Sequence, residues 1–175
     1  SIRGLKLMGK GGMMCGNGTE HINGFDLPKT MLDGYRNTVA AKISANCTWI
    51  FSYPGCTLRD EQHTAAFMAW QETLVPKDGV NKMSFVATWY PGTEMGRNKI
   101  VQERVARGFG ISFDKLGQPI CDDALLSYVL ELDDATKVLV DQNGEDVYYG
   151  EMGAAQFRKC RALIDEGNIE AILRL

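Results

Sequence analysis

The sequence predicts an α/β fold in which parallel strands alternate with helices, closed by an appended C-terminal hairpin and helix. Two stretches carry the expectation. From Cys47 to Thr57, five β-favouring residues (Thr48, Trp49, Ile50, Phe51, Tyr53) stop at Pro54-Gly55, and an amphipathic segment from Leu58 to Leu74 follows. From Met83 to Met95 the phrase returns: a β-rich run, a Tyr90-Pro91-Gly92 turn, then a helical pattern from Asn98 to Arg107. Strand, helix, strand in succession implies a right-handed crossover between parallel strands. Both turns would then lie at the carboxyl edge of one sheet, where such sheets bind ligands.

The other elements follow in order. Residues 1 to 12 read as a short helical piece broken at Gly9, Gly11 and Gly12, without the spacing of a phosphate-binding loop. Met13-Met14-Cys15 reads as a strand entering the Gly16 to His21 loop, whose glycines allow either a close ligand or a simple turn. A helix is expected from Leu27-Pro28 through Met31, Tyr35, Val39 and Ile43. Residues 75 to 79 form a turn-rich connection, and the stretch from Gly108 to Pro119 is irregular. Asp122 to Leu132 is a helix capped by Asp122 or Asp123. Val138 to Tyr149 is a hairpin turning at Asn143-Gly144, and Ala154 to Leu175 is a helix broken near Gly167 with Phe157, Cys160, Leu163 and Ile164 on one face. The domain reading is 1–120 for the α/β part and 121–175 for the extension.

Composition narrows the partners. A chain of 175 residues that is 45% hydrophobic can bury one sizeable core. A net charge of -3 with no clustered Lys or Arg argues against nucleic acid, and no run reaches the length of a membrane span or the apolar core of a signal peptide. The cytoplasm is the expected compartment. Cys15, Cys47, Cys56, Cys121 and Cys160 are odd in number and contain no Cys-x-x-Cys pair, a pattern of reduced thiols rather than of a disulfide framework or a self-contained metal site.

Three segments resemble the latter half of a radical S-adenosylmethionine enzyme, specifically the cobalamin-dependent group. Gly18-Thr19-Glu20 is similar to the Gly-x-Glu-Ser segment ending that barrel's fourth strand. Phe51-Ser52-Tyr53-Pro54-Gly55-Cys56-Thr57 resembles the Phe-Gly-Tyr-Pro-Gly-Glu-Thr segment after the fifth, and Trp89-Tyr90-Pro91-Gly92-Thr93-Glu94-Met95 the Pro-Gly-Thr-Glu segment after the sixth. Order and spacing agree over roughly the first 110 residues. The resemblance implies a partial (β/α) barrel with parallel strands near Met13–Gly16, Cys47–Ser52 and Met83–Thr88, in which Trp49, Phe51 and Val86 are largely buried. It also leaves the strand near Met13 as an open edge, to be covered by the C-terminal extension or by a second chain.

In that family these strand ends contact S-adenosylmethionine, so the resemblance implies cofactor contacts from Gly18, Thr19, Glu20, Ser52, Tyr53 and Pro54 and substrate contacts from Trp89, Tyr90 and Glu94. The departures are specific: Ser52 and Cys56 replace Gly and Glu, His21 replaces Ser, and the Cys-x-x-x-Cys-x-x-Cys loop that holds the [4Fe–4S] cluster does not occur in the sequence. Cluster and cobalamin would therefore come only with an N-terminal part, and the expected partners are a small-molecule cofactor and substrate together with that N-terminal half or a second chain. No catalytic residue and no metal ligand is assigned. Each site residue also has a plainer reading: Glu20 as a loop carboxylate in water, the aromatics as core or rim packing, Cys56 as a buried thiol with no histidine placed beside it, His63 as a surface residue, and Asp122, Asp123, Asp133, Asp134 and Glu151 as solvated charge. Two functions follow, an S-adenosylmethionine- and substrate-binding portion of a radical enzyme or a non-catalytic α/β binding or assembly module.

Overall fold

The computed structural model describes residues 18–75, 80–133 and 138–175. In chain order the elements are β1 (Thr19–Ile22), β2 (Phe25–Pro28), α1 (Lys29–Ala40), β3 (Ala45–Phe51), α2 (Leu58–Leu74), β4 (Val80–Val86), a 3-10 turn (Glu94–Arg97), α3 (Lys99–Phe109), α4 (Asp123–Leu130), α5 (Ala154–Asp165) and α6 (Ile169–Ile172). The described residues form two compact units. One comprises 18–49, 56–75, 80–84 and 152–175; the other comprises 50–55, 85–133 and 138–151.

The partial barrel of parallel strands is not what forms. Among the described residues the strands make two sheets of two strands each, β1 with β2 and β3 with β4, and β1–β2 is antiparallel. The cause is local. Asn23 and Gly24 both take positive φ, +53° and +81°, the two-residue hairpin turn that Asn-Gly favours. The turn folds Thr19–Ile22 back on Phe25–Pro28 in the register Thr19↔Pro28 to Ile22↔Phe25. Residues expected as a glycine loop and a helix start are thus a hairpin. The strand expected near Met13, and with it the open edge, lies outside the described residues.

Nor is β3 covered on both faces. Its side chains alternate, with Cys47 and Trp49 half-buried, Thr48 and Ile50 exposed and Phe51 buried, the pattern of a one-sided strand. Of the three positions expected in the core, Phe51 and Val86 are buried and Trp49 is only half-buried.

The first unit is built around α2. Thr57 and Asp60 make a reciprocal capping box, the Thr57 side chain accepting from the Asp60 N–H and the Asp60 carboxylate accepting from the Thr57 N–H. Every residue from Thr64 to Gln71 is buried, so α2 is a central helix rather than one with a single apolar face. Ala65, Ala66 and Ala69 leave room for neighbours to approach. Phe25 and Leu27 from β2, Leu32 and Tyr35 from α1, and Ala66, Phe67 and Trp70 from α2 form one core cluster. The hairpin tip is tied down by polar contacts: Asn23 Nδ2 donates to the Ala66 carbonyl at 3.1 Å, and the Arg59 guanidinium stands 3.9 Å from the Phe25 ring centroid. His63 is half-buried against Phe25 rather than a surface residue, and desolvation holds its pKa below the ordinary value.

The second unit packs around Trp89, Tyr128 and Tyr149. Tyr128 Oη donates to the Trp89 carbonyl at 2.7 Å, and Tyr149 is hydrogen-bonded to both the Tyr128 phenol and the Trp89 backbone. Helix α3 is capped by the Asn98 side chain, which accepts from the Ile100 N–H, and stops at Gly110 in the left-handed conformation. The hairpin expected at 138–149 is reduced to an antiparallel bridge, Val140↔Asp146, and a matching bridge, Phe113↔Pro119, lies in the stretch expected to be irregular. The two turns are the same device. Asp114 Oδ1 accepts from the Leu116 and Gln118 N–H groups, and Asp141 Oδ1 accepts from those of Asn143 and Glu145.

Candidate functional site

The residues singled out by sequence fall in both units. Gly18, Thr19 and Glu20 belong to the first, and Ser52, Tyr53, Pro54, Trp89, Tyr90 and Glu94 to the second.

In the first unit the hairpin sets the geometry. Gly18, at a φ of +76°, accepts the Lys29 N–H on its carbonyl at 3.0 Å and so closes the base of the hairpin. Thr19 is exposed opposite Pro28. Glu20 faces α1, where Arg36 grips both carboxylate oxygens at 2.7 and 2.9 Å. Arg36 also donates to Asp33 at 3.3 Å and lies 5.3 Å from the Trp70 ring centroid. The fork of the guanidinium matches the carboxylate, and its hydrogen bonds hold the Glu20 pKa below the ordinary value. Glu20 is an ion-pair partner as well as a hairpin residue.

In the second unit Phe51, Ser52 and Tyr53 are all buried at the end of β3. Ser52 has a φ of +55° and is 1% exposed, so a non-glycine residue holds the left-handed conformation inside the protein. Its carbonyl accepts the Tyr149 N–H at 3.2 Å, and the Phe51 carbonyl accepts the Ala87 N–H at 2.7 Å. After β4, Tyr90-Pro91-Gly92-Thr93 is closed by the Thr93 N–H and Oγ1, which both donate to the Tyr90 carbonyl. Trp89 is wholly buried against Phe113 and Tyr128. Tyr90 and Glu94 are exposed, and Glu94 stands 3.6 Å from Arg97. Of the site aromatics Tyr53, Trp89 and Tyr90, only Tyr90 is exposed.

One grouping escaped the sequence. Cys56, buried just before the α2 cap, donates its thiol to Glu61 Oε1 at 2.9 Å, and Glu61 is itself buried. Cys160 on α5 is buried too; desolvation chiefly, and the Glu61 charge in addition, push its thiol up to about 11. The periodicity of α2 placed Glu61 among the solvent-facing charges, and nothing in the spacing of Cys56 and Glu61 marks a pair that spans a helix cap.

Both oxygens of Glu20 are engaged by Arg36, while Ser52, Tyr53 and Trp89 are buried. Among the described residues, no three His, Cys, Asp or Glu side chains gather as metal ligands. No helix among them is long and apolar enough to cross a membrane. No protein-family model, curated protein or solved structure matches the chain.

Proposed function

We propose that this chain is a cofactor- and substrate-binding portion of a radical S-adenosylmethionine enzyme of the cobalamin-dependent kind, acting in the cytoplasm on a small molecule. Its cofactor site is completed by an N-terminal part or a second chain that carries the three-cysteine loop. The observation that supports this reading is Ser52. A serine at φ +55° costs about 1 to 2 kcal/mol relative to a relaxed conformation, and glycine alone is free of that cost. The segment that Phe51–Thr57 resembles has glycine at this position. The chain keeps a glycine's backbone under a different side chain, as expected where the shape of the turn matters more than the residue. In this reading [4Fe–4S] cluster and cobalamin enter with the completing part, and S-adenosylmethionine is bound jointly.

A second reading, a non-catalytic binding or assembly module, is favoured by the Glu20–Arg36 pair, because a carboxylate held at both oxygens is poorly placed to receive a ligand. Equilibrium dialysis with S-adenosylmethionine separates the two. The 175-residue chain alone should bind none. The chain extended upstream along its reading frame to include the three-cysteine loop should bind the cofactor and, once reduced, cleave it. An upstream sequence without such a loop, or an extended chain that folds and still binds nothing, would favour the module.

A further inference from the structure

We propose that Cys47 is a site of reversible oxidation to a sulfenic acid by a peroxide, the added oxygen being received by Tyr35, Trp49 and Gln71; the inference is separate from the functional reading above. Cys47 lies on β3 and is half-buried, whereas Cys56 and Cys160 are buried. The Gln71 amide on α2 donates from Nε2 to Cys47 Sγ at 3.0 Å. The same donor pairs with the thiolate, the form of the sulfur that attacks a peroxide. In that step the sulfur attacks one peroxide oxygen, the S–O bond forms as the O–O bond breaks, and the other oxygen leaves as hydroxide, which takes up the thiol's proton as water. Sulfur loses two electrons and the peroxide gains them.

Unpaired polar atoms identify the product. Tyr35 Oη, Trp49 Nε1 and Gln71 Oε1 are buried without a hydrogen-bond partner among the described residues, and Tyr35 and Gln71 are only 7 and 1% exposed. Buried polar groups left unpaired are uncommon, so three in the neighbourhood of one thiol call for an account. Gln71 Oε1 belongs to the amide that touches the sulfur, and turning that amide over would only exchange which end lacks a partner. Trp49 follows Cys47 by two residues and so shares its face of β3. Tyr35, on α1, belongs to the core cluster against which Cys47 and Trp49 pack; burial chiefly, and Cys47 in addition, raise its phenol pKa. A sulfenic acid brings one oxygen that accepts and one O–H that donates. Its oxygen matches Tyr35 Oη and Trp49 Nε1, and its proton matches Gln71 Oε1. A sulfinate would bring a charge into this aromatic core and no proton for Gln71, so the arrangement suits the first oxidation step and not the second.

The test treats the reduced 175-residue chain with stoichiometric hydrogen peroxide, adds dimedone after a varied delay, and locates the adduct by peptide mass spectrometry. Cys47 should form the adduct even after the longest delay, and should return to the thiol with dithiothreitol when dimedone is left out. Cys121, which is exposed, is the comparison, and any sulfenic acid there should pass sooner to higher oxides. Tyr35→Phe and Trp49→Phe each remove one donor, and each should shorten the life of the Cys47 sulfenic acid on the order of tenfold, as loss of one buried hydrogen bond does. Urea unfolding separates this effect from damage to the fold: peroxide should raise the midpoint of the wild-type chain and not that of Cys47→Ala treated in the same way, while reduced Tyr35→Phe stays at least as stable as reduced wild type. Four outcomes overturn the proposal: Cys47 unlabelled while Cys121 reacts, passage of Cys47 directly to the sulfinic acid, an unchanged lifetime in both phenylalanine variants, or a wild-type midpoint that oxidation leaves unmoved or lowers.

Discussion

Gly96→Ala should destabilise the chain through one identifiable contact. Gly96 lies in the 3-10 turn, and a Cβ built on it would stand 2.6 Å from Trp89 Nε1 and 3.3 Å from Cε2. An unstrained contact needs roughly 3.5 Å, so the indole would have to retreat by about 1 Å. Retreat is blocked, because Trp89 is wholly buried, with its ring 5.7 Å from Phe113 and 5.3 Å from Tyr128 and its carbonyl held by the Tyr128 hydroxyl. Overpacking of this kind costs about 1 to 3 kcal/mol. Gly34→Ala is the control of opposite sign: Gly34 lies within α1, its added Cβ meets nothing within 4 Å, and the change should stabilise by about 0.5 to 1 kcal/mol. Urea unfolding followed by tryptophan fluorescence and far-UV circular dichroism reads both. In a Trp89→Phe background the Gly96→Ala penalty should shrink by most of its size, since the contacted atoms are gone. A Gly96→Ala protein within about half a kcal/mol of wild type would show that the indole yields and that the tightness around Trp89 has been overrated.

Two buried tyrosines should respond oppositely to loss of the hydroxyl. Tyr128→Phe removes a hydrogen bond of 2.7 Å to the Trp89 carbonyl and should cost about 1 to 3 kcal/mol, whereas Tyr35→Phe removes a buried hydroxyl with no partner among the described residues and should be neutral or stabilising in the same urea titration. The Glu20 carboxyl has a folded pKa below its ordinary 4.5, so its stabilising contribution is present above that value and is lost as pH falls through the lower folded pKa; Glu20→Gln should flatten that part of the acid-unfolding profile and leave pH 7 to 8 free of any pH-dependent difference.

Local chemistry was legible in the sequence where it sufficed. Leu58–Leu74 is the helix expected, with its start defined by the Pro54-Gly55 stop and by Thr57 with Asp60, all within seven positions of one another. Asn98, Gly110, Asp122 and Gly167 mark ends that the turn and cap residues announce. What failed was the step from elements to their arrangement. A repeated strand-turn-helix phrase implies a growing parallel sheet only if further strands are free to join it. The hairpin signal was present in Asn23-Gly24, flanked by Phe25-Asp26-Leu27 with Asp26 exposed between two buried residues. The glycines before it suit close ligand approach as well as a turn, and β1 and β2 satisfy each other instead. Likewise, the charge pattern of α2 cannot tell a solvated Glu61 from one turned inward to meet a thiol.

The two departures from the resembled turn have separate structural counterparts. Ser52, standing for glycine, keeps a glycine's φ; Cys56, standing for glutamate, carries a thiol that donates to the carboxylate of Glu61, five residues further on. The Ser52 backbone has the shape a glycine would take, and the acid at the start of α2, Glu61, is buried against the Cys56 thiol. Preserving a turn is a weaker requirement than preserving a site. Hydrogen bonding and burial along the chain can maintain a left-handed residue, but a cofactor that reached Glu20 would have to compete with the Arg36 fork, which takes one acceptor site on each carboxylate oxygen. Arg36 is therefore the residue at which the enzyme reading and the module reading part. Arg36→Gln in the extended chain should strengthen cofactor binding if Glu20 is a cofactor ligand, because its carboxylate is released, and should leave it unchanged if Glu20 only holds the hairpin against α1.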